Sequence, residues 1–164
     1  MRKFPPVLLW LATLIFSLTA LAREVQFPEK TLPAFSFILP DEWSLTPAEA
    51  GNLIMFNQNH ATGIVIIVTE SADALDKIAD EAFGVAKVDA LQSKKSAEIS
   101  GCKGFTYISG MTNDKGVKMS IETTLVRVNE KHIAAASLLL VTSATKEEET
   151  VARLVLNGLK LVRE

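Results

Sequence analysis

The sequence has a single cysteine, Cys102, so no disulfide can form within the chain. It has only two histidines, His60 and His132, and they are far apart in the sequence. A zinc site needs three or four ligands, and no local ligand spacing supports one here, so we predict no metal site. Cys102 is expected to be a small buried side chain beside a sheet. The alternatives are a reactive thiol, an intermolecular bridge or a cysteine–histidine pair formed by tertiary contact.

Short catalytic motifs are also missing. There is no Gly-x-Ser-x-Gly nucleophile elbow and no Gly-x-x-x-x-Gly-Lys phosphate loop. The adjacent carboxylates Asp41-Glu42 and Asp80-Glu81 point in different directions on a strand or a helix, so neither pair is an acid–base couple. The turn at 113–116 has a lysine where a calcium loop needs an oxygen ligand. We therefore predict that the protein is not an enzyme and uses no cofactor.

The N-terminal segment has the pattern of a secretory signal peptide. Arg2 and Lys3 precede a nearly unbroken apolar stretch, which ends in the small-residue sequence Ala20-Leu21-Ala22. We expect residues 1–22 to be a signal peptide cut after Ala22, residues 23–164 to form a single domain, and the mature protein to be periplasmic. The alternative is an uncleaved anchor, but the apolar stretch is short for a membrane span.

Positive charge is scarce beyond the predicted leader. The remaining 142 residues have 15 lysines and arginines against 19 aspartates and glutamates, a formal charge of −4. Without a basic stripe, nucleic acid and anionic membrane surfaces are unfavourable partners. We expect no stable membrane span after cleavage of the leader.

Two-residue alternation of apolar side chains predicts most of the chain to be strands. The predicted strands are 25–27, 35–39, 52–57, 62–70, 93–100, 105–111, 117–128 and 132–142. A change of phase near Thr124 predicts a β-bulge. Short polar or glycine-containing turns between successive strands indicate hairpins, and therefore antiparallel pairing.

Two helices are predicted from apolar residues at three- and four-residue intervals. The first covers residues 75–86, with Asp73 as its N-cap. The second begins at a capping box formed by Thr145 and Glu148. Its buried stripe is expected to consist of Val151, Leu154, Val155, Gly158, Leu159 and Val162. These elements predict an α+β fold, an antiparallel sheet flanked by helices.

The stretch FILPDEW at 37–43 closes a strand on Leu39 and Pro40 and places Trp43 three residues later. Together with the order of elements over residues 33–162, it resembles the Mog1/PsbP-like superfamily, which includes the bacterial DcrB-type exported proteins. The resemblance implies an α/β/α sandwich and a family of binding modules without a shared catalytic site. Its members assist a photosynthetic complex, bind a small GTPase, chaperone secretion substrates or neutralise toxins. In this picture Leu39, Pro40 and Trp43 form a structural corner.

The favoured hypothesis is a periplasmic binding module that contacts another protein, as an accessory, chaperone-like or toxin-immunity protein. We expect contacts on loops held by a rigid scaffold. The candidate contact residues are Glu49, Asn52, Gln58, Asn59, His60, Asn113, Asp114 and Lys115. The alternative is a small-molecule or lipid carrier, because the strand GIVIIV at 63–68 is apolar on both faces and could line a cleft.

Overall fold

The computed structural model of the chain describes residues 22–47, 51–113 and 115–163. Its strands are β1 (Arg23–Phe27), β2 (Ala34–Leu39), β3 (Ser44–Pro47), β4 (Asn52–Phe56), β5 (Thr62–Glu70), β6 (Ser93–Ile99), β7 (Cys102–Thr112), β8 (Lys118–Arg127), β9 (His132–Val141) and β10 (Lys160–Val162). Its helices are α1 (Leu75–Ala86) and α2 (Lys146–Asn157). The predicted α+β class, an antiparallel sheet flanked by helices, is confirmed. The predicted leader falls almost wholly outside the described residues and stays a prediction.

The strands form two antiparallel sheets. The larger has seven strands in the order β3-β4-β5-β9-β8-β7-β6, and the smaller has three in the order β1-β2-β10. Strand β6 lies at an edge of the large sheet, as its lysines indicate. The small sheet is not predicted from sequence, because β10 has only three residues and pairs with a strand at the other end of the chain.

The predicted bulge near Thr124 is wrong. Strand β8 keeps one unbroken register with β7 and with β9 along its whole length. The change of apolar phase has another cause: both faces of the sheet are covered. Leu125 is buried on the face that carries α1, and Val126 is buried on the opposite face.

The face opposite α1 holds the larger core. There α2 and the small sheet pack together onto the large sheet, and the fully buried side chains include Phe35, Met55 and Ile64. Ala134 and Ala136 of β9 are completely buried in this core. Small side chains at these positions let a helix approach the sheet closely.

Two details of the helices differ from the sequence analysis. The N-cap of α1 is Ala74, without a side-chain cap, whereas Asp73 accepts a hydrogen bond from Lys77 at 3.0 Å. The buried residues of α2 are Ala152 and Val155, whereas the side chain of Leu154 is 67% exposed. Val155 and Leu159 of the predicted stripe are buried, but Ala152 takes the place expected of Leu154. The capping box of Thr145 and Glu148 is confirmed.

Within the described ranges, neither helix has the length and apolar character needed to cross a membrane.

Candidate functional site

A large apolar groove lies between α1 and the sheet. Its volume is about 640 Å³. Strands β5, β8 and β9 form the floor of this α1 groove, and one side of the helix forms its wall. The lining residues are Asn52, Val65, Ile67, Thr69, Ile78, Ala79, Glu81, Ala82, Phe83, Val85, Ala86, Val88, Met111, Ile121, Thr123, Leu125, Ile133, Ala135, Ser137 and Leu139.

The groove exists because α1 covers only part of the sheet. The helix lies toward β7 and β8, where Ile78, Ala79 and Phe83 pack near Tyr107 and Leu125. Ala79 is the buried residue of the helix, while Val85 is 87% exposed. Half-buried apolar side chains of β5 and β9 therefore remain accessible beside the helix.

An ionic and aromatic cluster holds the first turn of α1 to the sheet. The Tyr107 hydroxyl donates to Asp76 Oδ1 at 2.7 Å, and Lys94 Nζ lies 2.5 Å from the same oxygen. The Lys94 ammonium also lies 3.9 Å from the centre of the Phe105 ring, a cation–π contact. Hydrogen bonds from Lys94 and then Tyr107 lower the pKa of Asp76. Burial, followed by the hydrogen bond to Asp76, raises the pKa of Tyr107.

Hydrogen bonds fix the segments before and after α1 as well. The guanidinium of Arg127 donates to the carbonyl oxygens of Ser71 and Asp73, just before the helix. After the helix, the N–H of Asp89 donates to Gly110 O at 2.8 Å. The buried Ser109 hydroxyl donates to Asp89 O at 2.6 Å. Both ends of α1, the wall of the groove, are thus held in place, so the space between the helix and the sheet is a fixed feature of the fold.

Few polar groups enter the groove. On the floor, the hydroxyls of Thr123 and Ser137 lie 2.9 Å apart and satisfy each other. Asn52 and Thr69 contribute uncharged polar atoms, and Glu81 on α1 is the one ionisable residue among the described lining residues. Such a surface can bury an apolar ligand, but it offers no nucleophile paired with a base.

The predicted turn at 58–60 connects β4 and β5. The Asn59 amide donates to Glu148 of α2, and the Asn57 amide lies 3.4 Å from the same carboxylate oxygen. His60 has a left-handed backbone (φ 58°), and its ring packs 5.2 Å from that of Phe56. Gln58 is exposed within this turn. The turn is therefore tied to the first turn of α2.

The other predicted contact residues are divided between the two ends of the large sheet. The turn that contains Asn113 and Lys115 joins β7 to β8 and lies at the same end as the 58–60 turn, because Thr62 pairs with Leu140 beside the start of β8. Asn52 begins β4 toward the other end and lines the α1 groove. Glu49 and Asp114 fall outside the described residues. The structure thus places the turns at 58–60 and 113–115 at one end of the large sheet and Asn52 toward the other.

The segment around Trp43 turns between the two sheets. Leu39 and Trp43 are buried in the larger core, at 1% and 6% exposure. The Trp43 N–H donates to Pro40 O at 3.0 Å and closes the turn between β2 and β3. These contacts account for the three residues by packing and turn geometry.

Neither Cys102 nor His132 lies in the groove. Cys102 is buried in the larger core at 3% exposure. His132 Nδ1 lies 3.1 Å from Asn129 Oδ1, and its Nε2 lies 3.8 Å from a Glu70 oxygen. Among the described residues, no three histidine, cysteine, aspartate or glutamate side chains converge as metal ligands would.

Of the α1 groove, only the strand at 63–68 was predicted as able to line a cleft; the part formed by α1 was not. The strand is apolar on both faces, and on one of them Ile64 and Ile66 lie in the larger core. The opposite side chains, Val65 and Ile67, line the groove instead. No local signal could have located the groove, because it depends on where α1 lies across the sheet.

Solved structures share this arrangement at low sequence identity. No protein-family model matches the sequence, and no curated protein matches it. The cyanobacterial PsbP of Synechocystis superposes with a TM-score of 0.61 at 9% identity, covering 86% of this chain and 92% of that one. LpqN of Mycobacterium tuberculosis, described as involved in cell envelope biogenesis, gives 0.59 at 14% identity, covering 86% of this chain and 91% of that one.

A protein of Bacteroides thetaiotaomicron gives a TM-score of 0.55 at 14% identity over 79% of this chain. This chain spans 46% of the length of that protein. Likeness at such identity describes architecture and not activity. The resemblance inferred from the Leu-Pro-x-x-Trp corner and the order of elements is confirmed at that level: the chain has the Mog1/PsbP-like fold.

Proposed function

We propose that the protein is a non-enzymatic binding module that acts after export to the periplasm and holds a small apolar ligand in the α1 groove. The groove itself is the observation that supports this function. Its volume of about 640 Å³ lies within the range of about 300–1,000 Å³ typical of small-molecule sites. Its lining is largely aliphatic and aromatic, so burial of an apolar ligand is the interaction that it favours.

The chemistry of the lining supports binding rather than catalysis. Glu81 is the one ionisable group among the described lining residues, and the Thr123 and Ser137 hydroxyls are paired with each other. General acid–base or nucleophilic catalysis needs at least one further group within hydrogen-bond reach. The groove supplies a surface for an apolar molecule and no partner for a reacting atom.

Saturable binding of a fluorescent apolar probe tests the proposal. The purified protein is titrated with N-phenyl-1-naphthylamine, an uncharged dye that becomes bright in apolar sites. Val65→Trp places an indole in the groove and is expected to weaken binding at least tenfold. Ile38→Trp is the matched control, because Ile38 is 62% exposed on β2, away from the groove. Far-ultraviolet circular dichroism checks that both variants fold.

One saturable site that is lost in Val65→Trp and kept in Ile38→Trp is the expected result. Absence of saturable binding to the folded protein would overturn the proposal. Equal binding by the two tryptophan variants would also overturn it, because the dye would then bind elsewhere.

Export has its own test. The protein expressed from its full sequence in a Gram-negative host is recovered from the periplasmic fraction, and its intact mass is measured. Cleavage after Ala22 leaves Arg23 as the first residue. A cytoplasmic protein of full-length mass would contradict the periplasmic part of the proposal.

A protein partner is the second candidate function, in an accessory, chaperone-like or toxin-immunity role. The observation that favours it is the end of the sheet where two exposed turns lie, one of them fastened to Glu148 of α2 through Asn59. Affinity capture from periplasmic extract tests it. Charge reversal at Lys115 combined with Gln58→Glu should release a genuine partner, and retention of the partner would contradict this surface.

A further inference from the structure

We infer that the ligand of the α1 groove is a single-chain amphiphile with a cationic, amine-bearing head group, and that Glu81 selects its charge. This inference rests on the proposed function and gives the chemical class of the ligand. It follows from the charge at the groove, where Glu81 is the one ionisable residue among the described lining residues.

The apolar part of the ligand is defined by the floor. Val65 and Leu139, on the adjacent strands β5 and β9, line the groove together with Met111 of β7. No basic side chain appears among the described lining residues. A hydrocarbon chain can therefore lie along this floor without burying any charge of the protein.

The polar part of the ligand is defined by α1. Glu81 lines the groove while its side chain stays 63% exposed. It thus lies where an apolar floor meets water, the position that the head group of an amphiphile occupies. Asn52 of β4 lines the same groove and adds an amide, but no charge.

A neighbouring lysine does not neutralise Glu81. Lys77 Nζ lies 3.0 Å from Asp73 and 3.8 Å from Glu81. The hydrogen bond to Asp73 is the main cause that raises the pKa of Lys77. One ammonium is shared by two carboxylates, so Asp73, Lys77 and Glu81 together carry a net negative charge.

The negative charge near Glu81 determines which head group binds more tightly. An ammonium group near Glu81 gains an ion pair beside an apolar surface. A carboxylate or phosphate head would meet a like charge, and it would find no cation of the lining to pair with. Exposed pairs contribute modestly, so the two head groups should differ in affinity by roughly fivefold to tenfold at low salt.

Competition between two ligands of equal tail length measures this preference. Bound N-phenyl-1-naphthylamine is displaced at pH 7 by dodecylammonium or by dodecanoate, each below its micelle-forming concentration. The wild-type protein should bind dodecylammonium about fivefold more tightly or better. Glu81→Gln should bring the affinity ratio close to one, and Lys77→Met should raise it. Glu98→Gln is the matched control, since Glu98 is an exposed carboxylate of β6 that does not line the groove.

The outcomes separate the two proposals. If the dye binds but both amphiphiles displace it equally, the charge preference is wrong while the apolar groove stands. If Glu81→Gln keeps the wild-type ratio, selection by Glu81 is likewise wrong. If neither the dye nor either amphiphile binds to the folded protein, both the proposed function and this inference are wrong. A preference that weakens in 1 M salt supports the inference, because salt screens exposed pairs.

Discussion

Arg153 fastens α2 to the large sheet through a two-pronged contact with Glu122 of β8. Its Nη1 and Nη2 donate to the two carboxylate oxygens at 2.9 and 2.6 Å. Its Nε donates to Glu149, one helical turn earlier, at 2.8 Å. We expect Arg153→Met to loosen α2 and to leave the Glu122 carboxylate without its partner.

The magnitude follows from the exposure of the pair. Hydrogen bonds to charged groups contribute about 1.5–3 kcal/mol when buried, and exposed ion pairs contribute about 0.2–1 kcal/mol. The side chains of Arg153 and Glu122 are 38% and 22% exposed, so the pair lies between these limits. We expect Arg153→Met to lower the free energy of unfolding by about 1.5 kcal/mol. Glu149→Gln, which removes only the contact within the helix, should cost about 0.5 kcal/mol or less.

The pH dependence has a definite sign. Hydrogen bonds from Arg153 are the main cause that lowers the pKa of Glu122 in the folded protein, so the unfolded chain takes up the proton more readily. The stabilisation is therefore fully present well above the unfolded pKa, which is about 4.3 for glutamate, and is lost as the pH falls through the depressed folded pKa. Urea unfolding of the wild type and Glu122→Gln, at pH 7 and at successively lower pH, measures the difference. A difference that is the same at pH 7 and pH 3 would refute the reasoning.

Four other substitutions can be compared by urea unfolding. Gly104→Ala would place a Cβ 1.9 Å from the Leu125 carbonyl oxygen, so it should lower the free energy of unfolding by about 3 kcal/mol or more. In Gly84→Ala, on α1, the added Cβ meets nothing within 4 Å, so this change should raise the free energy of unfolding by about 0.5–1 kcal/mol. Thr62→Val should be neutral or stabilising, because the buried Thr62 hydroxyl has no hydrogen-bond partner among the described residues; a loss above about 1 kcal/mol would contradict this. Thr145→Ala removes the capping box of α2 and should cost about 1 kcal/mol.

The sequence predicted the elements whose signals are local. The capping box at Thr145 needs only four consecutive residues, and the hairpins need a turn between two apolar runs. Strand β10 could not be predicted in this way, because its three residues owe their conformation to pairing with β2. Strand β3 could not be predicted either, because it is short, contains Pro47 and depends on pairing with β4 at the edge of the large sheet.

Faces were harder to predict than elements. Leu154 fits the apolar stripe of α2 by spacing, yet the closer contact with the sheet is made by Ala152, which is fully buried. The change of apolar phase in β8 resembles that of a bulge. It arises because the buried side chains lie first on the face that carries α1 and then on the opposite face. The α1 groove belongs to the same class of feature, since it depends on where α1 lies across the sheet.

The two faces of the large sheet divide stability from binding. The face with α2 holds the fully buried Phe35, Met55 and Ile64, and the ion pair of Glu122 and Arg153 fastens the helix there. On the other face α1 buries Ala79 against a smaller apolar cluster, and polar contacts hold the segments before and after the helix. Apolar area removed from water is the main source of stability, so most of the stability comes from the face that carries α2. Floor residues such as Val65 can therefore be altered to probe binding while the protein stays folded.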